Sequence, residues 1–520
     1  MPNQHAKNII LCCDGTWNNI NNADGKVISP TNVVQLYNSL AKIDQNGIPQ
    51  HRYYHPGVGT EGSKLDRIIE GITGDGLDKN IKSAYRELCE YYQDGDKIFL
   101  FGFSRGAYTV RSLSGFIALV GLLEIDNLDE QEIWDRIDHV YSQGYRLKNE
   151  TRSNWNTKNW HFKNPEHQLI PIHFMGVWET VGALGIPDYL ITLNLLDRLN
   201  DYTFHDTVIS KNIKTARHAV ALDEQRASFQ PTLWADENEP NQDVQQVWFA
   251  GVHSDIGGGY QANGLAQVAL RWMINEAMQY ELAFNTDYTR QITPNEYDIL
   301  HDSYSGIFKL FPCIPRSIPR LDSEAIHITA QNRQQFPPIR QSPYHQVTTL
   351  PTAINIYAMQ PWNQTGIWLE KGISYSFKAN GIWMDGSIKA TPQGSQDGVF
   401  KMAELAHVFG TLLGKIEDQY KKLTGNKNTD YYFTRRQESM PWFCLVGIIA
   451  NGKTIENADQ TQKMYFEPHE AFQIGSGTAY TPKQSGYFYA YANDAWNCYS
   501  NNRGRVNLAI QVADKASQEN

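Results

Sequence analysis

The chain has 520 residues, 41% hydrophobic and 20% charged, which is apolar mass enough for more than one core and too much for a disordered chain. A formal net charge of -10 supplies no cationic surface for a phosphate backbone and argues against nucleic acid as a partner. The six cysteines, with Cys12 and Cys13 adjacent, show neither disulfide spacing nor the paired CxxC motifs of a zinc site, so they read as reduced, buried thiols.

Met1 to Lys7 is polar, and the apolar run Ile9 to Cys13 that follows is too short for a signal-peptide core. No stretch approaches the roughly 20 apolar residues of a membrane span. The expectation is cytoplasmic synthesis, with any export by a route that needs no cleavable signal. From Asn8 to about Trp248, short β-branched or aromatic runs alternate with helical spacing, the pattern of a parallel sheet. The strands expected are Ile9 to Cys13, Lys97 to Phe101, Ile172 to Trp178 and Val244 to Phe249. Between the first two, Ile81, Ala84, Tyr85, Leu88 and Cys89 share one face of a crossover helix over Asn80 to Tyr92.

Gly102-Phe103-Ser104-Arg105-Gly106 follows an apolar strand and precedes the helical stretch Ala107 to Leu113. That order is a nucleophile elbow: the serine sits on a strained turn, and the glycines on either side allow close backbone approach. Ser104 is the expected nucleophile, and the Arg105 N–H at the helix start faces the developing oxyanion. A second donor is expected from Gly15 or Thr16, in the loop after the first strand. The same residues also read as an Asp14-Gly15 turn, with Asp14 capping the next turn. A serine hydroxyl needs an imidazole to take its proton and a carboxylate behind the ring. His253, in Gly251-Val252-His253-Ser254-Asp255-Ile256-Gly257-Gly258-Gly259, reads as a histidine in a Gly-rich loop after a late strand. Its rival, His218, falls in a helix-like stretch, Ala216 to Leu222. Glu179 directly follows the third strand and gives the chain order Ser, Glu, His, with Asp255 and Asp14 as alternative acids.

Further on, Ile186 to Leu199 is apolar enough for a lid or lipid-facing helix, and equally for a core helix. Proline density over Phe311 to Pro351 predicts a connection without a long helix and a boundary near residue 350. The organisation expected is an α/β-hydrolase with a mostly parallel sheet over 1–350, then a β-sandwich over 351–520. Strands are expected at Asn355 to Tyr357, Ser374 to Ala379, Phe443 to Ala450, Gly486 to Tyr491 and Arg505 to Val512, with a helical insertion over 400–423.

Leu11 to Asn18, Gly102 to Thr109, Gly176 to Gly185 and Gly251 to Tyr260, with Ala219 to Trp234, resemble a hydrolase family of bacteria and fungi. Its best-known members are type VI secretion phospholipase effectors of the first lipase class, and the likeness covers roughly residues 6 to 345. It implies an α/β-hydrolase that cleaves phospholipid acyl esters without a catalytic cofactor, delivered by secretion machinery and countered by an immunity protein. The family's Ser and His fall on Ser104 and His253, and its usual Asp is Glu179 here.

Near the carboxyl terminus, Asn493 to Gly504 resembles the calcium loop of PA-IL-type galactose-binding lectins, as do Ala379 to Trp383 and Pro392-Gln393-Gly394. The resemblance implies calcium held by Asp494, Asn501 and Asn502, by main-chain oxygen at Cys498 and by a group near Asp385. Calcium takes roughly six to eight oxygens, which side chains and carbonyls of this loop can supply in part. Where that family places a sugar-contacting His, Ser395-Gln396-Asp397 stands. The expected whole is a serine lipolytic hydrolase with a lectin-like module that docks on a glycan or lipid surface. Two alternatives remain: a carboxylesterase for acylated polysaccharide, and a carbohydrate-binding adhesin with a degenerate hydrolase half.

Overall fold

The computed structural model describes residues 6–15, 23–24, 27–57, 76–146, 160–163, 169–181, 208–235, 239–310, 313–333, 348–395, 436–437, 439–456 and 464–513. Thr16, the apolar stretch 186–199 and the expected helical insertion 400–423 lie outside them.

Six strands form one sheet: β1 (Asn8–Cys13), β2 (Gln50–His55), β3 (Lys97–Phe103), β4 (Ile172–Trp178), β5 (Thr215–Ala221) and β6 (Asp243–Phe249). All neighbours are parallel, in the order β2-β1-β3-β4-β5-β6. Helices α1 (Asn32–Ser39), α2 (Leu77–Tyr91), α3 (Arg105–Val120), α4 (Glu130–His139), α5 (His253–Gly257) and α6 (Gly264–Gln279) flank it. The inner strands β1, β3 and β4 are nearly continuous apolar runs because both faces are covered, while the edge strands β2 and β6 are polar and partly exposed. Ile9, Leu11, Ile98 and Leu100 pack with α2, α3 and α4, while Ile10, Cys12, Phe99, Phe101 and Phe103 pack with α1 and α6.

One expectation is corrected. Ala216 to Leu222 is not helical: it is the buried strand β5 and its exit, paired with β4 and β6. The alanines that suggested a helix fit because a strand covered on both faces has room for small side chains, and tertiary pairing overrides a weak propensity.

The carboxyl half forms two antiparallel sheets from β7 (Thr352–Tyr357), β8 (Asn363–Leu369), β9 (Tyr375–Asp385), β10 (Ile388–Ala390), β11 (Leu445–Ala450), β12 (Glu470–Gln473), β13 (Gly477–Tyr480), β14 (Gly486–Ala492) and β15 (Asn502–Val512). One runs β8-β14-β11-β12; the other runs β10-β9-β15-β7, with β13 also on β9. Phe377, Trp383, Val506 and Leu508 meet Leu445, Ile449, Phe472 and Phe488 between the sheets. All of β11 is buried, because Val446, Ile448 and Ala450 point the other way. With Tyr487, Tyr489 and Tyr491 they pack on Val220, Trp248 and Ala250 of the parallel sheet's side, and on Ile318, Leu321 and Ile326. Residues 313–326 are therefore a filling layer rather than a free connection, bridged to the α/β unit at Arg226–Cys313 and Trp248–Ile326.

Candidate active site

The parallel register brings Cys13 beside Gly102, Phe103 beside Trp178, and Ala221 beside Phe249, so the strands end on one edge. In open α/β sheets that carboxyl edge is where ligands bind. β3 stops at Phe103 and α3 starts at Arg105, leaving Ser104 in the turn at φ 57° and ψ -118°. Such a conformation costs a serine about 1–3 kcal/mol and persists only where the surroundings enforce it. Ser104 N–H donates to Trp178 O at 3.0 Å, and Ser104 O accepts from Tyr108 N–H at 3.2 Å. The flanking glycines are needed for contact: a Cβ on Gly102 would lie 2.5 Å from Gly106 O, and one on Gly106 would lie 2.0 Å from Cys13 O.

Glu179 follows β4 and is fully buried, itself at φ 46°. Its Oε2 lies 3.1 Å from His253 Nδ1, and its Oε1 accepts from Ala221 N–H at 2.6 Å. A carboxylate only accepts, so Nδ1 carries the imidazole proton and Nε2 keeps its lone pair. His253 sits not in a loop but at the first residue of the short helix α5. Its ring lies 4.7 Å from that of Phe103, the residue before Ser104, and 4.9 Å from that of Phe229. Burial pushes the His253 pKa below its ordinary value, against the pull of Glu179. The backbone of His253 is anchored by Glu224, whose Oε2 accepts its N–H at 3.2 Å. Burial alone would raise the Glu224 pKa, but the charge and hydrogen bonds of Arg226 bring it down to about 2.

Arg316 was not among the residues expected at the site. Its Nη1 donates to Glu179 Oε1 at 2.8 Å and its Nη2 to Oε2 at 2.9 Å, with both side chains fully buried. Burial opposes ionisation of Glu179, yet the Arg316 charge and the hydrogen bonds from His253 and Arg316 hold its pKa well below the usual carboxylate range. An arginine bracketed by Pro315 and Pro319 was the one available signal, since proline fixes an extended path on which a buried cation needs a partner.

The other candidates are placed elsewhere. Asp255 accepts from His301 Nδ1 at 2.6 Å, and its partners do not include His253. Asp14 accepts from Thr31 Oγ1 and Tyr54 OH, each at 2.8 Å; burial lifts its pKa to about 6. The Gly15 N–H, expected toward the oxyanion or in a turn with Asp14, donates to Asp14 Oδ1 at 2.7 Å. His218 lies in mid-strand, where its Nε2 accepts from Thr180 N–H at 3.2 Å. Burial, then the Arg111 charge, push its pKa down to about 3.

In the carboxyl half, pairing of Asp385 with Asn502 across β9 and β15 brings the lectin-like loop residues together. Asp494 Oδ2 accepts from Asn502 Nδ2 at 2.8 Å, and Asp385 Oδ1 from Asn501 Nδ2 at 2.9 Å. Burial and then the Asp385 charge raise the Asp494 pKa to about 7. Asn502 Oδ1 is buried without a hydrogen-bond partner. Cys498, buried beside both carboxylates, has its pKa pushed up to about 12, so it remains a thiol.

Comparison with known proteins matches residues 7–276 to the family described as T6SS, phospholipase effector Tle1-like, catalytic domain. An uncharacterized protein of Saccharomyces cerevisiae is 33% identical over 249 residues, 44% of this chain and 33% of that protein, so the chain spans a third of this relative's length. Among solved structures, an uncharacterized protein from Pseudomonas aeruginosa is 18% identical at TM-score 0.33, covering 56% of this chain and 49% of its own. The Tle1 effector bound to the VgrG spike of the type 6 secretion system is 12% identical at TM-score 0.28, covering 95% and 71%. The EclA N-terminal domain, a PllA-like lectin, is 14% identical at TM-score 0.18, covering 31% and 95%.

Proposed function

Because this chain belongs to the family of Tle1-like phospholipase effector catalytic domains, we propose that it is a serine hydrolase of phospholipid acyl esters, with Ser104, His253 and Glu179 as its triad. The carrying observation is the His253 Nδ1–Glu179 Oε2 pair at 3.1 Å on the sheet edge that bears the Ser104 turn. In the reaction, Ser104 Oγ attacks the ester carbonyl as its proton passes to His253 Nε2. The ester C–O bond breaks, and the leaving lysolipid oxygen takes that proton from the imidazolium. Water then attacks the acyl-enzyme, gives a proton to His253, and releases the fatty acid while Ser104 regains its hydrogen. The Arg105 N–H, at the amino end of α3, is the oxyanion donor that this scheme uses. The family reading carries delivery by type VI machinery, with an immunity protein guarding the producer. The test is fatty-acid release from phospholipid vesicles, expected for the wild type and lost in Ser104→Ala. Cleavage of acetylated glycans with none of vesicles would replace this reading with the polysaccharide esterase.

A second site supports a calcium-dependent glycan-docking role for the sandwich. Two adjacent buried carboxylates, Asp385 and Asp494, with the unpartnered acceptor Asn502 Oδ1, suit a hard cation with oxygen ligands. Asp385, Asp494, Asn501 and Asn502 would hold calcium, with a main-chain oxygen at Cys498, and the ion would neutralise the paired carboxylates and offer a contact to sugar hydroxyls.

A further inference from the structure

Residues 313–318 form an extended strap gripped alternately from two sides. Toward the sandwich, Cys313 O accepts from Trp362 Nε1 at 2.7 Å, Pro315 O lies 2.7 Å from His469 Nε2, and Ser317 Oγ donates to Gly452 O. His469 Nδ1 accepts from Gly452 N–H at 2.8 Å, which leaves Nε2 as the protonated nitrogen that donates to Pro315. Toward the parallel sheet, Ile314 N–H donates to Gln225 O at 2.7 Å. Arg316 reaches Glu179, Ala221 O and Phe229 O.

Resting on the triad reading above, we propose that Arg316 is a positioning residue for the Glu179 carboxylate and that the C-terminal sandwich holds it there through this strap. The planar guanidinium grips both carboxylate oxygens, so Glu179 cannot rotate away from His253 Nδ1. Its charge also offsets that of Glu179, so the imidazolium gains less from the carboxylate and His253 stays a free base to lower pH. The other charges around this pair are Glu224 and Arg226 beside His253, the Asp255–His301 pair further along α5, and Arg111 near His218 behind Glu179. Among the described residues, Arg316 and His253 are the two ionisable side chains that touch the Glu179 carboxylate, and Arg316 is the charged one.

The test follows the rate at which a fluorophosphonate probe labels the full chain against pH, a readout that needs no knowledge of the substrate. Arg316→Gln is expected to move the acidic limb upward by about one unit. Arg316→Lys keeps the charge but not the fork, and should hold the limb in place while labelling slows roughly tenfold. A Trp362→Phe, His469→Leu double variant, altered only on the sandwich side, should also slow labelling by roughly tenfold. An unmoved limb in Arg316→Gln overturns the proposal. If that variant does not fold, wild-type rates in both the lysine and the strap variants overturn it. A wild type that is not labelled, or a Ser104→Ala variant labelled equally fast, removes the triad reading itself and this inference with it.

Discussion

Replacing Gly106 by alanine tests whether the elbow is held by contact. A Cβ there would lie 2.0 Å from Cys13 O, 2.5 Å from Cys13 C and 2.6 Å from Asp14 O, all backbone atoms at the end of β1. Side-chain carbons do not sit within 3.0 Å of such neighbours, so α3 and β1 must separate by roughly 1 Å. Overpacking of this kind costs about 1–3 kcal/mol in stability. A shift of that size at the nucleophile costs about a hundredfold in rate. Gly115 on the same helix is the control, since its Cβ would meet only Tyr145 Cε2 at 3.6 Å and Tyr145 OH at 3.9 Å, ordinary contacts. Vesicle hydrolysis and urea unfolding of the two variants separate the cases. Gly106→Ala should lose most of its kcat and some stability, and Gly115→Ala should keep both. Equal activity in the two would refute the argument that backbone contact with β1 sets the position of Ser104.

Glu179→Gln leaves Arg316 as a buried cation without its carboxylate, so urea unfolding should show a loss of about 3–5 kcal/mol. The amide also disrupts the imidazole tautomer, and kcat should fall by about ten-thousandfold. In the sandwich, the folded-state pKa of Asp494 is raised to about 7 from an ordinary 3.8, so the folded form binds the proton more tightly than the unfolded. That contribution to stability is full below about 3.8 and is lost as pH rises through about 7. Without calcium, the wild type should therefore gain stability relative to Asp494→Asn as pH falls across that window. Saturating calcium should abolish that gain on acidification, because the ion competes with the proton for Asp494, and raise the wild-type melting temperature near pH 7; a calorimeter reads both.

The Ser104 turn was legible because its strand, turn and helix are contiguous; local sterics require glycine at 102, whereas the demand for glycine at 106 comes from Cys13 and Asp14 at the end of β1. Glu179 and His253 followed from chain order, since each stands just beyond a strand whose apolar run is plain. Arg316 was not legible: it lies 137 positions from Glu179, and only the packing of two sheets around the strap brings them together. His218 was misread as helical because alanine favours a helix in isolation, and no local residue records that strands flank it on both sides. Gly15 looked like an oxyanion donor by its place after the first strand. The adjacent carboxylate of Asp14 takes that N–H, a competition that the alternative reading of an Asp14-Gly15 turn leaves open.

The sandwich sheet that packs on the parallel unit has a bearing on where the chain can be cut. A fragment ending at residue 276 would keep Ser104, Glu179 and His253 yet lose the guanidinium that neutralises the acid. It would also bare Val220, Trp248 and Ala250 to water. The piece that matches the family is thus shorter than one that keeps the Arg316–Glu179 pair, and fragments divided at that point should aggregate.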